Sequence, residues 1–430
     1  MQFENTLEFA QQLDARDSLK KFRQKFIVPM LNGKEQIYFL GNSLGLQSRN
    51  VKHEIERILD QWATYGVEAF FNGDNPWMDY HDRLVQPLSR IVGASPAELT
   101  VMNQLTVNLH LMMASFYHPE GRTNKILCEA KAFPSDQYMF ETHLRKYDLN
   151  PDEVIIEVAP REGQHLIRTE DILNAIHEHK DELALVMFSG VNYYTGQVLN
   201  IPNITRAAHD AGVIAGFDLA HAAGNIPLQL HEWDVDFACW CSYKYLNSGP
   251  GAVGGCYVHE RFHRDQNIKR FGGWWGYDKT TRFQMEKGFK AIPSAEGWQL
   301  STPSLLLYAS HKAALDMFEE AGWTNVQDKR KLLSDYLWFI LEEVNKTTSQ
   351  KTIEFITPRP ESYVNEYARG SQVSLLMLER GRHVFEALTR EGVMADWREP
   401  NVIRVAPVPL YNTFEEVWKF GNIIASILNQ

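Results

Sequence analysis

Residues 212–257 read GVIAGFDLAHAAGNIPLQLHEWDVDFACWCSYKYLNSGPGAVGGCY, and they carry the clearest structural signal in the chain. Two short apolar runs, 213–217 and 237–241, are bounded by turn residues, which is typical of buried strands. Asp218 ends the first run, and Lys244 follows the second. Ligands of open α/β sheets bind at the carboxyl ends of the strands, so we expect both side chains at one such edge.

A carboxylate and a lysine at neighbouring strand ends suit the chemistry of pyridoxal 5'-phosphate (PLP). The lysine forms a Schiff base with the cofactor's aldehyde, and the carboxylate keeps the pyridine nitrogen protonated so that the ring accepts electrons. An ordinary ion pair at the edge of the sheet needs the same two residue types. From Asp218 and Lys244 alone, both interpretations stay open.

Length and composition indicate a soluble protein with a large core. The chain has 430 residues, enough for two domains, and its net charge is −11 with acids and bases spread throughout. This charge gives no support for binding to nucleic acid or to a membrane surface, which normally needs a basic patch. No apolar run is as long as a membrane span, and the N-terminus lacks the layout of a signal peptide. We therefore expect a cytoplasmic protein.

The cysteines give no sign of a metal site or of disulfides. The chain has four, Cys128, Cys239, Cys241 and Cys256, and three of them fall on predicted buried strands. Buried free thiols in a reducing compartment are the expected state. A metal site would need CxxC spacing with clustered histidines, which is absent, so we predict no metal.

Two helix starts upstream could hold parts of a cofactor. Thr106 opens a helix after a short strand, where free backbone N–H groups and the helix dipole favour a phosphate. An ordinary N-terminal cap at Thr106 is the alternative. Further on, Phe133 could lie flat on a planar ring and Asp136 could accept a hydrogen bond from it. Pro134, Ser135 and Asp136 are, however, good helix-start residues in their own right.

Two further features leave alternatives open. Arg404 stands alone in the apolar strand VIRVAPV, where it either awaits a substrate carboxylate or forms an internal ion pair. The paired tryptophans of GGWWGYD, residues 272–278, either reach a partner subunit or pack in the core.

Several of these stretches closely resemble the kynureninase family of fold-type I PLP enzymes. The matching segments run in order over nearly the whole chain: YFLGNSLGLQ (38–47), MNQLTVNLHLM (102–112), AKAFPSD (130–136), FSGVNYYTGQ (188–197), GFDLAHAAGN (216–225), DFACWCSYKYLN (236–247) and IRVAPVPLYN (403–412).

The resemblance implies a fold and a domain organisation. We expect a mainly parallel seven-stranded sheet flanked by helices, followed by a smaller α+β domain. Residues 1–45 would pack with the small domain, residues 46–305 would form the large PLP-binding domain, and residues 306–430 would form the small one. Members of the family act as homodimers with shared active sites.

The resemblance also assigns roles to residues. Lys244 corresponds to the Schiff-base lysine, Asp218 to the partner of the pyridine nitrogen, and Tyr243 to an acid–base relay. Arg404 corresponds to the arginine that binds the substrate carboxylate, and Ser43 is a second expected substrate contact. The remaining expected cofactor contacts are Leu105, Thr106, Phe133, Pro134, Ser135, Asp136, Ser189 and His221, with Trp274 and Thr302 reaching the phosphate across the dimer interface.

The activity implied is hydrolysis of L-kynurenine, or its 3-hydroxy form, to anthranilate, or 3-hydroxyanthranilate, and L-alanine. Such a reaction belongs to tryptophan degradation or to the synthesis of NAD precursors. Animal members carry His at the position of Val67 and Asn at that of Thr302, so the preferred substrate stays open. A cysteine desulfurase or an aminotransferase on the same fold would use the same lysine and aspartate, and a non-catalytic PLP-binding protein is the remaining alternative.

Overall fold

A computed structural model describes residues 2–265, 267–348, 351–359 and 369–430. Within these ranges, every helix is too short or too polar to cross a membrane. Two sheets organise the chain, one of seven strands and one of four.

The large sheet is parallel except for one strand. In spatial order its strands are Leu99–Met102, Gly254–Val258, Phe237–Cys241, Ile214–Asp218, Leu183–Ser189, Lys125–Glu129 and Ile155–Val158. Gly254–Val258 runs antiparallel to both of its neighbours. The segment between Cys241 and Gly254 contains no helix that could carry the chain back across the sheet, so the chain returns antiparallel. The mainly parallel seven-stranded sheet expected from the sequence is thereby confirmed.

Helices cover both faces of this sheet. They are Val51–Tyr65, Asp82–Val92, Leu105–Phe116, Pro134–Leu144, Pro151–Val154, Thr169–His179, Ile201–Asp210 and Leu305–Ala321. Alternate residues of one strand enter different cores, since Cys239 packs on one face and Trp240 on the other. Strands buried on both sides explain why their sequences are continuously apolar.

The smaller sheet follows a long helix. Its strands, in spatial order, are Ile353–Phe355, Val373–Met377, Val402–Val405 and Asp396–Arg398. The helices packed on it are Trp323–Thr347, Gly381–Arg390 and Phe414–Leu428. The strand Val402–Val405 was expected from the apolar run VIRVAPV, whereas Asp396–Arg398 was not expected, because three residues are too few for a strand pattern to be detected.

The N-terminal segment contacts the smaller sheet's elements. After the helix Leu7–Arg16, strand Ile37–Tyr38 pairs in parallel with Val393–Met394. Asp14 accepts hydrogen bonds from the N–H groups of Phe414 and Glu415, at the start of the last helix. Two other two-stranded pairs complete this region, Phe26–Ile27 with Gln47–Ser48 and Met30–Leu31 with Lys34–Glu35.

Candidate active site

A pocket opens at the carboxyl ends of the parallel strands, where the sequence placed the ligand. Most of the predicted site residues line it: Leu105, Thr106, Phe133, Ser135, Asp136, Ser189, Asp218, His221, Tyr243 and Lys244. The sheet order brings these residues together, because the strands ending at Asp218, Ser189 and Glu129 are neighbours.

Lys244 lies on the turn that follows strand Phe237–Cys241. Its Nζ atom is buried, 5.8 Å from the centre of the Phe133 ring and 5.9 Å from that of Tyr243. A ring lying against Phe133 would therefore be close to the lysine amine.

The turn is fixed from two directions. His311 Nδ1 is 2.7 Å from Ser248 Oγ, and Gly45 N–H donates to Tyr243 O at 2.8 Å. A Cβ atom at Gly45 would lie 2.5 Å from Lys244 O, so only glycine allows this close approach. The lysine turn is thus held by both the N-terminal segment and helix Leu305–Ala321.

Three carboxyl groups meet beside the lysine. They are Asp136, Asp218 and Glu129, and all three are buried. Burial raises the pKa of Asp136 well above its usual range, and the charges of Asp218 and Glu129 raise it further. Burial also raises the pKa of Asp218, while Lys244 opposes that shift. A cationic group placed beside Asp218 would relieve this repulsion.

His221 stands near the same carboxyl groups but is held neutral. Burial lowers its pKa well below the usual value, and the nearby cations Lys244 and Arg404 act in the same direction. Its Nδ1 atom is buried without a hydrogen-bond partner within the described ranges.

The helix that begins at Leu105 presents its N-terminus to the pocket. Gln104 is its N-cap and makes no side-chain capping bond, so the alternative of Thr106 as the cap is wrong. Thr106 instead lies in the first turn and lines the pocket. Free N–H groups and a hydroxyl at a helix start form a suitable seat for a phosphate.

Unpartnered polar atoms test whether the pocket suits a PLP-like group. Asp136 Oδ1, Ser189 Oγ and His221 Nδ1 are buried and lack partners in the part of the chain that is described. Buried polar atoms are nearly always satisfied, so three in one pocket indicate a polar ligand. The residues present therefore fit a flat polar ring that carries a phosphate, together with a lysine to hold its aldehyde.

Arg404 lies in strand Val402–Val405 and is almost fully buried. It forms an ion pair with Asp396, and its Nη1 atom donates to Tyr193 O. Of the two alternatives raised by the sequence, the internal ion pair is the one present. Burial lowers the pKa of Arg404 to about 10, which leaves it charged at neutral pH.

Five predicted residues, Arg404 among them, do not line the pocket of the single chain. Ser43 and Pro134 are exposed to solvent and do not face the pocket lining. Thr302 is also exposed, on the segment before helix Leu305–Ala321. Trp274 is 46% exposed, whereas its neighbour Trp275 is buried. The tryptophan pair thus divides between the surface and the core.

Glu129 and Tyr193 are among the pocket residues that the sequence analysis did not name. Glu129 accepts the N–H of Ser189 on both carboxylate oxygens at 3.1 Å, and it ends a strand as Asp218 does. That shared position was the available signal. Tyr193 packs edge-on against Phe133, with ring centres 5.1 Å apart. It lies in a loop whose sequence gave no such indication.

Comparison with known proteins identifies the family. A kynureninase of Flavobacterium psychrophilum is 52% identical over 424 residues, which cover 99% of this chain and 98% of that protein. The chain belongs to the kynureninase family. A kynureninase of Koribacter versatilis is 46% identical, with 99% of each chain covered. A family model described as the kynureninase C-terminal domain matches residues 326–424. The resemblance seen in the sequence is therefore confirmed.

Solved structures similar to this kynureninase-family chain share its fold. An apo cysteine desulfurase from Thermococcus onnurineus has a TM-score of 0.74 and 17% identity, with 95% of this chain and 98% of that chain covered. A complex of the cystine C-S lyase C-DES with cysteine persulfide has a TM-score of 0.72 and 17% identity, with coverage of 91% and 97%. At such identities the similarity shows the fold alone.

Proposed function

We propose that this protein hydrolyses L-kynurenine, 3-hydroxy-L-kynurenine or both, releasing L-alanine and the corresponding anthranilate, with PLP as cofactor. The observation that carries the proposal is the meeting of Lys244, Asp218 and Phe133 in one buried pocket of a kynureninase-family chain. Bound PLP supplies a protonated aromatic ring that withdraws electrons from the substrate's Cα.

The pocket residues would hold this cofactor at three points. Lys244 Nζ binds its aldehyde, Asp218 holds the proton on its ring nitrogen, and Phe133 covers one face of the ring. The N-terminus of helix Leu105–Phe116, with Thr106 and the hydroxyl of Ser189, binds the phosphate. Pro134 and Ser135 belong to the same proposed cofactor site, as does Asp136.

The same residues position the substrate and move protons. Arg404 binds the substrate carboxylate, and Ser43 is a second proposed contact. The amine of Lys244, once free, takes the proton from Cα. Tyr243 lies beside Lys244 and is the proposed acid–base relay. Burial raises the pKa of its phenol, so the group is protonated near neutral pH and would act as a proton donor.

A direct assay tests the proposal. We expect purified protein, supplied with PLP and L-kynurenine, to release fluorescent anthranilate together with one equivalent of L-alanine. Bound PLP without anthranilate release would overturn the proposal and favour a non-catalytic PLP-binding protein.

A desulfurase or an aminotransferase is the second candidate, since the similar solved structures include desulfurases. A desulfurase needs a reactive cysteine within reach of substrate, and all four cysteines of this chain are buried. An aminotransferase would convert an amino acid to its keto acid and leave the cofactor in its amine form, which a second keto acid would return to PLP. Incubation with L-cysteine, or with L-alanine and a keto acid, should therefore give no turnover.

Substrate preference is proposed to depend on Thr302 and Val67. We expect Thr302→Asn to change the ratio of kcat/KM for kynurenine over 3-hydroxykynurenine, because an amide can hydrogen-bond the additional hydroxyl. An unchanged ratio would remove Thr302 from this role.

We also propose a cytoplasmic homodimer with shared active sites. Exposed aromatic rings support the dimer, since Trp274, Phe283 and Phe71 contact one another on the surface. Trp274 and Thr302 would then reach the partner's phosphate site. Four unpaired thiols agree with a reducing compartment. Light scattering should give twice the chain mass, and Trp274→Ala should weaken PLP binding.

The division into residues 1–45, 46–305 and 306–430 is likewise a proposal. The two separate sheets support a large and a small domain, with helix Leu305–Ala321 packed on the large sheet and leading into the small domain. The pairing of Ile37–Tyr38 with Val393–Met394 supports an N-terminal segment that belongs with the small one. Limited proteolysis should cut near residue 305 before it cuts within either sheet.

A further inference from the structure

Asp396 forms an ion pair with Arg404, the residue that the proposed function assigns to binding the substrate carboxylate. The two residues lie directly opposite each other on antiparallel strands, and Asp396 Oδ2 pairs with Arg404 Nη2. A cross-strand pair of opposite charges at this position was not visible in the sequence, because the strand of Asp396 was not predicted.

On one edge of the Arg404 guanidinium, one of the two nitrogen donors has an acceptor and the other has none among the described residues. Nη1 donates to Tyr193 O, and Nη2 is paired with Asp396. Nε, which shares an edge with Nη2, is buried without a partner within the described ranges. Carboxylates bind an arginine best through two parallel bonds, and Asp396 supplies one bond to an edge that offers two.

Asp396 is also ion-paired with a second cation, Arg398. Arg398, two residues along the same strand, places both Nε and Nη2 at 3.2 Å from Asp396 Oδ2. Asp396 therefore bridges two arginines, of which Arg404 is buried and Arg398 is partly exposed. Losing the contact to Arg404 does not leave the aspartate unpaired, so its release is not strongly opposed.

The arginine is connected to the cofactor pocket through Tyr193. The backbone oxygen of Tyr193 accepts from Arg404, and also from Gln372 Nε2 at 3.0 Å. The ring of the same tyrosine packs against Phe133 inside the pocket. Arg404 does not line the pocket itself, and Tyr193, which does, is the residue through which the two are in contact.

We propose that Asp396 is an internal substitute for the substrate carboxylate. It holds and orients Arg404 in the empty site, and Arg398 takes it over when substrate binds. The inference rests on the proposed function, because it requires Arg404 to be the carboxylate site. Asp396 is a positioning residue that keeps a buried arginine paired, and it competes with every carboxylate ligand of the site.

Two substitutions with opposite expected effects test this inference. Asp396→Asn keeps the shape but removes the competing charge, so the KM for kynurenine should fall about tenfold, the value of one charge-assisted hydrogen bond. Arg398→Gln leaves Asp396 with Arg404 as its one arginine partner, so the KM should rise. In both variants kcat should change less than KM, because the group acts on binding.

A ligand without the carboxylate separates competition from general disturbance. Kynuramine lacks the α-carboxylate of kynurenine, and its binding, followed by the absorbance of bound PLP, should be equal in wild type and Asp396→Asn. The matched control is Asp171→Asn, which breaks an exposed pair with Arg161 and should leave both ligands unaffected. Thermal melting of each variant verifies folding.

The outcomes distinguish this inference from the function on which it rests. If Asp396→Asn releases anthranilate normally but its KM equals or exceeds that of the wild type, the role of Asp396 is overturned and the proposed function stands. A KM that is also unchanged in Arg404→Gln shows that the carboxylate binds elsewhere. Absence of anthranilate from the wild-type protein overturns the proposed function itself.

Discussion

The edge of the large sheet at the carboxyl ends of its parallel strands and the edge at their amino ends carry similar residues, but these residues differ in how they are paired. At the carboxyl edge, Asp218, Asp136 and His221 lie around Lys244, and two of their polar atoms, Asp136 Oδ1 and His221 Nδ1, have no partner among the described residues. The opposite edge also collects carboxylates and histidines around one buried residue, Glu98.

Glu98 shows what a satisfied cluster looks like. Its carboxylate accepts the N–H groups of Ser95 and Glu260 at 2.9 and 3.1 Å, and it lies 2.9 Å from His231 Nδ1. Nearby, His259 Nδ1 accepts the N–H of Arg261, and the other ring nitrogen faces Asp234 at 3.2 Å. These atoms are engaged with protein groups, so the cluster stabilises the fold and does not need a metal.

The difference between the edges therefore lies in unpartnered atoms and not in the density of titratable groups. A buried polar atom without a partner is destabilising, and it persists where a ligand supplies the partner. Placed side by side, the Lys244 edge is built for a ligand and the Glu98 edge for stability.

Lys244→Ala should give the largest effect. We expect activity to fall by about a thousandfold or more, because no other amine replaces the base. The visible absorbance of bound PLP should disappear as well. His231→Gln, at the opposite edge, is the control and should keep both. Turnover in the lysine variant close to that of wild type would remove Lys244 from the centre of the site.

Asp218→Asn and Asp236→Asn should separate activity from stability. At the carboxyl edge, loss of the Asp218 charge should lower kcat about a hundredfold while PLP still binds. At the opposite edge, Asp236 accepts the N–H of Ala215 at 2.8 Å and lies 2.9 Å from His209 Nε2. Asp236→Asn should lower the free energy of unfolding by about 2 kcal/mol and spare kcat. Kinetics and urea titration of both variants measure kcat and the free energy of unfolding. A stability loss in Asp218→Asn with a kcat loss in Asp236→Asn would contradict the contrast.

The His209–Asp236 pair should give a smaller, pH-dependent effect. Its hydrogen bond to Asp236 raises the pKa of His209 above the unfolded value of about 6.5. The charged pair therefore adds stability that is complete below that value and lost as the pH rises through the folded pKa. Between pH 5.5 and 8.5, His209→Gln should remove about 1 kcal/mol of unfolding free energy at the acidic end and little at the basic end. A difference independent of pH would contradict this assignment.

Removal of metal ions should have the smallest effect. We expect dialysis against EDTA to leave both Tm and turnover unchanged, because the ring nitrogens near Glu98 already contact protein groups. A drop in Tm that Zn²⁺ restores would show that this edge holds a metal after all.

The sequence was sufficient for the large sheet and for the centre of the pocket. Asp218 and Lys244 follow apolar runs that could only be buried strands, and parallel strands place their carboxyl ends together. The family resemblance then extended the assignment to Phe133 and to the helix start at Leu105.

The remaining features depend on contacts between distant segments. Asp396 meets Arg404 only because a short polar strand pairs at the sheet edge, and such strands have no periodicity to detect. Tyr193 reaches Phe133 across 60 residues of sequence through a loop. Trp274 and Thr302 lie outside the pocket of one chain, so a single sequence offers no test of their role.

The close contact at Gly45 has a consequence for synthesis on the ribosome. Gly45 lies against the lysine turn, while Ile37–Tyr38, a few residues earlier, pairs with Val393–Met394 near the other end of the chain. The strand Ile37–Tyr38 can therefore pair only after residues 393–394 have been synthesised. Chains that end before Val393 should therefore bind no cofactor, even if the large sheet has formed.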